Sequence, residues 1–63
     1  MKVTVKQARV GVGMTQENMA KALGVSTSKY ASWEKRPEKI PYKDVVRITK
    51  ITGIGMNDLN MEV

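Results

Sequence analysis

Apolar residues recur along this chain at spacings of three and four, in short bursts set apart by glycine or proline. That is the period of helices with one buried face. Val5 and Ala8 begin the first helix, expected from about Val5 to Val10 or a little beyond. Thr4 and Gln7 have the capping-box spacing around its start, with Val3 and Ala8 at staple positions. Gly11 and Gly13 make continuation costly, about 1 kcal/mol per glycine relative to alanine. Met19, Ala20 and Leu23 form the stripe of a second helix over Gln16 to Leu23, with Thr15 as its cap and Glu17 well placed against the helix dipole. Tyr30 and Trp33 mark a third over Thr27 to Lys35. Ser26 caps it, and Pro37 ends it by forcing the preceding residue out of helical conformation. Val45, Ile48 and Ile51 or Thr52 mark a fourth over Tyr42 to Thr52, with Pro41 and Asp44 at its start and Gly53 as its stop. Met56 to Leu59 reads as a last single turn. Met1 to Val3 reads as an extended lead-in and Asn60 to Val63 as a tail along the surface. The expectation is an all-α fold: a compact bundle of five short helices forming one domain over 1–63.

The stretch Met14 to Arg36 organises the rest. Met14 before the Thr15 cap returns at Met19, and Val25 before the Ser26 cap returns at Tyr30, so the hydrophobic staple occurs twice. Two short helices, each apolar on one side, with Gly24 between them match a helix-turn-helix unit. Any αα-hairpin would satisfy the same pattern.

Composition narrows the chemistry. The 63 residues leave room for one core, and with no cysteine or histidine there is neither a disulfide nor the commonest metal ligands and general base. No metal or cofactor is expected, and no small-molecule ligand. The six carboxylates (Glu17, Glu34, Glu38, Asp44, Asp58 and Glu62) are scattered, with no pair set for acid–base work, so an enzyme is not expected. No apolar run has membrane-spanning length and no signal-peptide pattern is present, so the cytoplasm is the default. Eleven basic residues against six acidic give a net charge of +5, which favours a polyanion partner. Lys29, Lys35, Arg36, Lys39 and Lys43 all fall in or just after the third helix.

The pieces KQAR at 6–9, MTQENMAKALGVS at 14–26, SWEK at 32–35 and TGIGMNDL at 52–59 resemble the Cro/repressor-type (XRE-like) helix-turn-helix family. The lead KVTVKQAR is similar to that of its small phage-type regulators. The resemblance covers nearly the whole chain. It implies a lambda-repressor-like DNA-binding domain, a sequence-specific transcriptional regulator of bacterial or phage origin, and a double-stranded DNA operator as partner. It also implies a homodimer, at least on DNA. One position departs from the family: glycine is usual where Arg36 stands, so the chain must leave the third helix by another route over 36–41.

Within that resemblance, the third helix is the recognition helix. Its inward positions carry Tyr30 and Trp33, and the opposite face carries Ser28, Ser32 and Lys35, flanked by Lys29 and Ala31. Small side chains there let a helix sit deep in a major groove. Thr27, Ser28, Lys29 and Ser32 are the expected base contacts. Lys29 stands where a capping box would want glutamate or glutamine, so helix stability has not dictated it. Gln16 is expected at a phosphate, a role the family gives the glutamine of its Thr-Gln pair, at the start of a helix whose free N–H groups favour anions. Lys35, Arg36, Lys39 and Lys43, together with Tyr42, are expected to hold the backbone. The family also pairs an arginine of the first helix with a glutamate ending the recognition helix. Arg9 and Glu34 match those positions, and a bidentate pair between them is expected to fix the two helices. Ile54, Met56, Leu59, Met61 and Val63 either close the core or form a two-fold contact. The rival reading is a protein-interaction module, an antitoxin or adaptor on the same fold. RNA is disfavoured because the third helix lacks exposed aromatics for stacking.

Overall fold

The computed structural model describes residues 2–61. Four α-helices form: α1 (Val5–Gly11), α2 (Gln16–Leu23), α3 (Thr27–Lys35) and α4 (Tyr42–Thr52). The start of each of the first three is fixed by a side chain. Thr4 and Gln7 bond each other's backbone N–H at 3.0 and 2.8 Å, closing the box ahead of α1. Thr15 and Asn18 make the same reciprocal arrangement ahead of α2, with asparagine in place of glutamate or glutamine. Ser26 Oγ accepts from the Lys29 N–H at 3.1 Å and receives nothing in return. The start of α4 has no side-chain cap; Pro41 stands at the cap itself, and its carbonyl takes the N–H groups of Asp44 and Val45.

The exits differ. Gly24 and Gly53 close α2 and α4 in the left-handed region, at φ of 73° and 74°, which glycine enters without the usual Cβ penalty. Arg36 ends α3 without such a turn. Its backbone is extended (φ −133°, ψ 74°), its N–H still reaches the Ser32 carbonyl at 2.9 Å, and buried Pro37 turns the chain into a 3-10 turn over Pro37–Lys39. Proline thus ends the helix where a glycine would have reversed it.

The fold is mostly helical as expected, with two differences: the helix count is four among the described residues instead of five, and two short strands are present. Met56–Asp58 is a 3-10 turn, because only three residues separate Gly55 from Leu59, where the chain enters β2, too few for an α-helical turn to repeat. The tail, moreover, pairs with the lead-in. β1 (Val3–Thr4) and β2 (Leu59–Asn60) form a two-stranded parallel ladder, Val3 opposite Leu59 and Thr4 opposite Asn60. Its cause is burial: Leu59 is 3% exposed, and Val3 and Met61 pack against the same core. The expectations for Met1, Glu62 and Val63 lie outside the described residues.

The core is drawn from every helix. Met19, Tyr30 and Ile48 are fully enclosed, and Val5, Leu23 and Trp33 nearly so. The closest helix pairing is α2 with α3, across the Gly24 turn. Arg47 on α4 ties the far end of α2, its Nη1 donating to the Leu23 carbonyl at 3.4 Å while lying 4.0 Å from buried Asp44.

Candidate nucleic-acid interface

The two faces of α3 separate by residue type. Tyr30 is 0% and Trp33 4% exposed, whereas Thr27, Ser28, Lys29, Ser32 and Lys35 all face solvent. A helical period of 3.6 requires this once the two rings are placed in the core. The outer face therefore presents three hydroxyls and two amines, with half-buried Ala31 between them. Trp33 belongs to the core and is not a stacking surface. Its ring does receive Lys29, whose Nζ stands 5.7 Å from the ring centroid, close enough for a weak cation–π attraction. Ser32 Oγ donates to the Lys29 carbonyl at 2.6 Å.

Beyond α3, Arg36, Lys39 and Lys43 are exposed on the extended exit, the 3-10 turn and the first turn of α4. Tyr42 stands out beside Lys43 at 74% exposure. Glu38 offsets part of this charge, 3.9 Å from Arg36, but both side chains are largely in water, where such a pair contributes little.

Behind this face lies a buried polar network. Arg9 Nε donates to Glu34 Oε2 at 2.7 Å, with side chains only 9% and 5% exposed. The expected bidentate geometry does not form. Arg9 Nη1 turns instead to the Met14 carbonyl at 2.6 Å, and Glu34 Oε1 accepts from Gln16 Nε2 at 2.9 Å. The reason is position: the Met14 carbonyl, at the entry to α2, and the Gln16 amide each claim one arm. One guanidinium and one carboxylate thus hold together α1, the start of α2 and the end of α3. Burial by itself would raise the Glu34 pKa, but the hydrogen bonds from Arg9 and Gln16, with the nearby Tyr30 hydroxyl and the Arg9 charge, together hold the carboxyl below its ordinary value. The bond to Glu34 raises Arg9 further above its ordinary value against the opposing effect of burial. Tyr30 Oη is buried beside this charge, close enough to Glu34 to bear on both groups though without a well-formed hydrogen bond among the described residues, and loss of solvent pushes its pKa up.

Gln16, expected at a phosphate, is therefore half-buried with one amide hydrogen turned inward. It lines an open groove of about 720 Å³ between α1 and the starts of α2 and α3, which also brings Lys6 and Thr27 alongside it. Lys6 escaped the sequence reading because nothing in a first-helix lysine marks it as a neighbour of the α2 start. The signal was available in hindsight: Lys6 precedes Arg9 by three, so both lie on adjoining faces of α1.

A family model described as helix-turn-helix matches residues 5–59, from the first residue of α1 to the first of β2. No curated protein and no solved structure gives a significant match.

Proposed function

The chain belongs to the helix-turn-helix family of XRE type, a family of DNA-binding transcription regulators, and we propose that it binds double-stranded DNA sequence-specifically with α3 in the major groove. The observation that carries this reading is the outer face of α3, exposed hydroxyls and amines over a buried pair of rings. Nine helical residues at about 1.5 Å each span roughly 13 Å, enough to pass over about four base pairs at 3.4 Å. Thr27, Ser28, Lys29 and Ser32 touch base edges in this reading, with the amine of Lys29 suited to the acceptors of guanine. Lys35, Arg36, Lys39 and Lys43 hold phosphates, joined by Gln16 through its second amide hydrogen and by Lys6 from the groove.

The molecule measures 29 × 22 × 18 Å, whereas half-sites on one face of a duplex lie about 34 Å apart. One copy spans a single half-site, so operator recognition calls for a homodimer, at least on DNA. Half-buried Ile54 and Met61 and exposed Met56 offer apolar surface for it. Acting on cellular DNA, such a regulator, repressor or Cro-like, works in the cytoplasm.

Exposed Val10 and Val12, at 58% and 43%, favour the second reading, a module that docks another protein. Salt separates the two. Five lysine or arginine contacts per domain (Lys6, Lys35, Arg36, Lys39 and Lys43) give a slope of about −4.5 in log K against log salt, a loss of roughly five-hundredfold per domain between 50 and 200 mM. An apolar protein interface hardly responds. Selection on random duplexes, repeated with Lys29→Ala, tests the recognition face: an unchanged base preference in the variant removes Lys29 from base reading. Affinity for DNA that is flat across that salt range overturns the phosphate contacts.

A further inference from the structure

Ser32 is fixed in polarity by its own helix. Its Oγ lies 2.6 Å from the Lys29 carbonyl oxygen, and a carbonyl carries no proton, so the proton on that line is the serine's. The hydroxyl has one proton to give. With it committed to the backbone, what Ser32 presents outward from the exposed face of α3 is lone pairs. Lys29, one turn earlier, is the reverse: an ammonium that donates and never accepts. Two neighbouring readers on one face thus carry opposite hydrogen-bonding signs.

We infer that Ser32 reads its base as an acceptor only, and so selects a base that shows an exocyclic amine in the major groove. Adenine N6 and cytosine N4 are the two amines displayed there, whereas guanine O6 and thymine O4 are acceptors. Ser32 facing either of those sets lone pair against lone pair. Donating to a base instead gives up the bond to Lys29, whether the proton alone swings away from the carbonyl or rotation about Cα–Cβ carries the oxygen with it. The preference is therefore for adenine or cytosine over guanine or thymine on one strand, at one position of each half-site. This rests on the major-groove reading of α3 proposed above.

The test is binding-site selection on random duplexes with the full chain and with Ser32→Ala, followed by fluorescence anisotropy on the selected site. Ser32 is exposed and mid-helix, and alanine has the higher helix propensity, so the variant folds; circular dichroism confirms it. One position should show adenine or cytosine with the wild type and lose that preference in Ser32→Ala. Replacing that base by purine (for adenine) or 2-pyrimidinone (for cytosine) deletes only the amine. The deletion should weaken the wild type about fivefold and leave Ser32→Ala within about twofold. Guanine or thymine at the Ser32-dependent position, or an equal loss for both proteins, overturns the inference. Selective binding with no position sensitive to Ser32→Ala overturns it while leaving the DNA-binding reading intact. A wild type that retains no preferred duplex overturns both.

Discussion

Replacing Arg9 by alanine removes two bonds at once, to Glu34 at 2.7 Å and to the Met14 carbonyl at 2.6 Å. It leaves a carboxylate that is 5% exposed, with the Gln16 amide as its remaining well-formed hydrogen bond among the described residues and the Tyr30 hydroxyl close by. Breaking one side of a buried ion pair costs about 3–5 kcal/mol, because the abandoned charge has lost its water without compensation. A 63-residue domain at about 0.05–0.15 kcal/mol per residue has a total stability of roughly 3–9 kcal/mol. The loss is a third or more of that, and for a domain this small it lowers Tm by at least about 12 °C. Thermal and urea unfolding followed by circular dichroism measure it directly. DNA affinity should fall with the folded fraction and recover on cooling well below the variant's Tm. A melting temperature within about 5 °C of wild type would refute the argument, and if DNA binding were lost as well, Arg9 would have to touch the duplex.

The acid limb of stability belongs to Glu34. Its pKa is lower in the folded chain than its ordinary value of 4.5, so its contribution is full above about pH 4.5 and is lost as pH falls through the depressed folded value. Glu34→Gln should flatten that limb as well as lowering stability at pH 7; a limb of unchanged slope in urea titrations at pH 3–5 assigns it elsewhere. Gly24→Ala should cost about 1–2 kcal/mol through backbone strain alone, since φ is 73° and an added Cβ meets nothing within 4 Å. An unchanged Tm counts against that. Leu59→Ala, at 3% exposure in the β1–β2 pair, should cost about 2–5 kcal/mol; a loss below about 1 kcal/mol by urea unfolding would mean that the pair adds little to the core.

The helices were legible because each carries its own punctuation. Thr4, Thr15 and Ser26 mark the starts, and Gly24, Gly53 and Pro37 the ends; the segments Gln16–Leu23, Thr27–Lys35 and Tyr42–Thr52 form with the expected limits. The inward positions of Tyr30 and Trp33 followed from period alone. What escaped was everything set by distance in sequence. The parallel pairing of Val3 with Leu59 joins two-residue segments 56 positions apart, too short for either to show a strand period of its own. The Thr15–Asn18 box was missed because asparagine is not the residue that the pattern seeks at that place. The branching of Arg9 and Glu34 toward Met14 and Gln16 needs four groups from three helical regions at once, and pairwise matching sees only the first contact.

That branching bears on how folding and recognition are divided in this chain. On α3 the proposed reading keeps them separate: the rings at 30 and 33 are in the core, while Thr27, Ser28, Lys29, Ser32 and Lys35 bury little and on that reading are free to vary with the operator. Gln16 joins the two. An amide nitrogen has two hydrogens, and the inward one holds Glu34 at 2.9 Å, leaving the other for the phosphate proposed above. A lysine there would donate to both but would set a third full charge beside the Arg9–Glu34 pair. A glutamate would place like charges at hydrogen-bond distance in a site with little water, and would repel DNA as well. A neutral double donor meets both demands, so in the proposed complex the residue that anchors α2 to the backbone of a duplex also anchors α2 to the end of α3. On that proposal, the angle at which α3 enters the groove would be set by the same carboxylate that joins α1, the start of α2 and the end of α3.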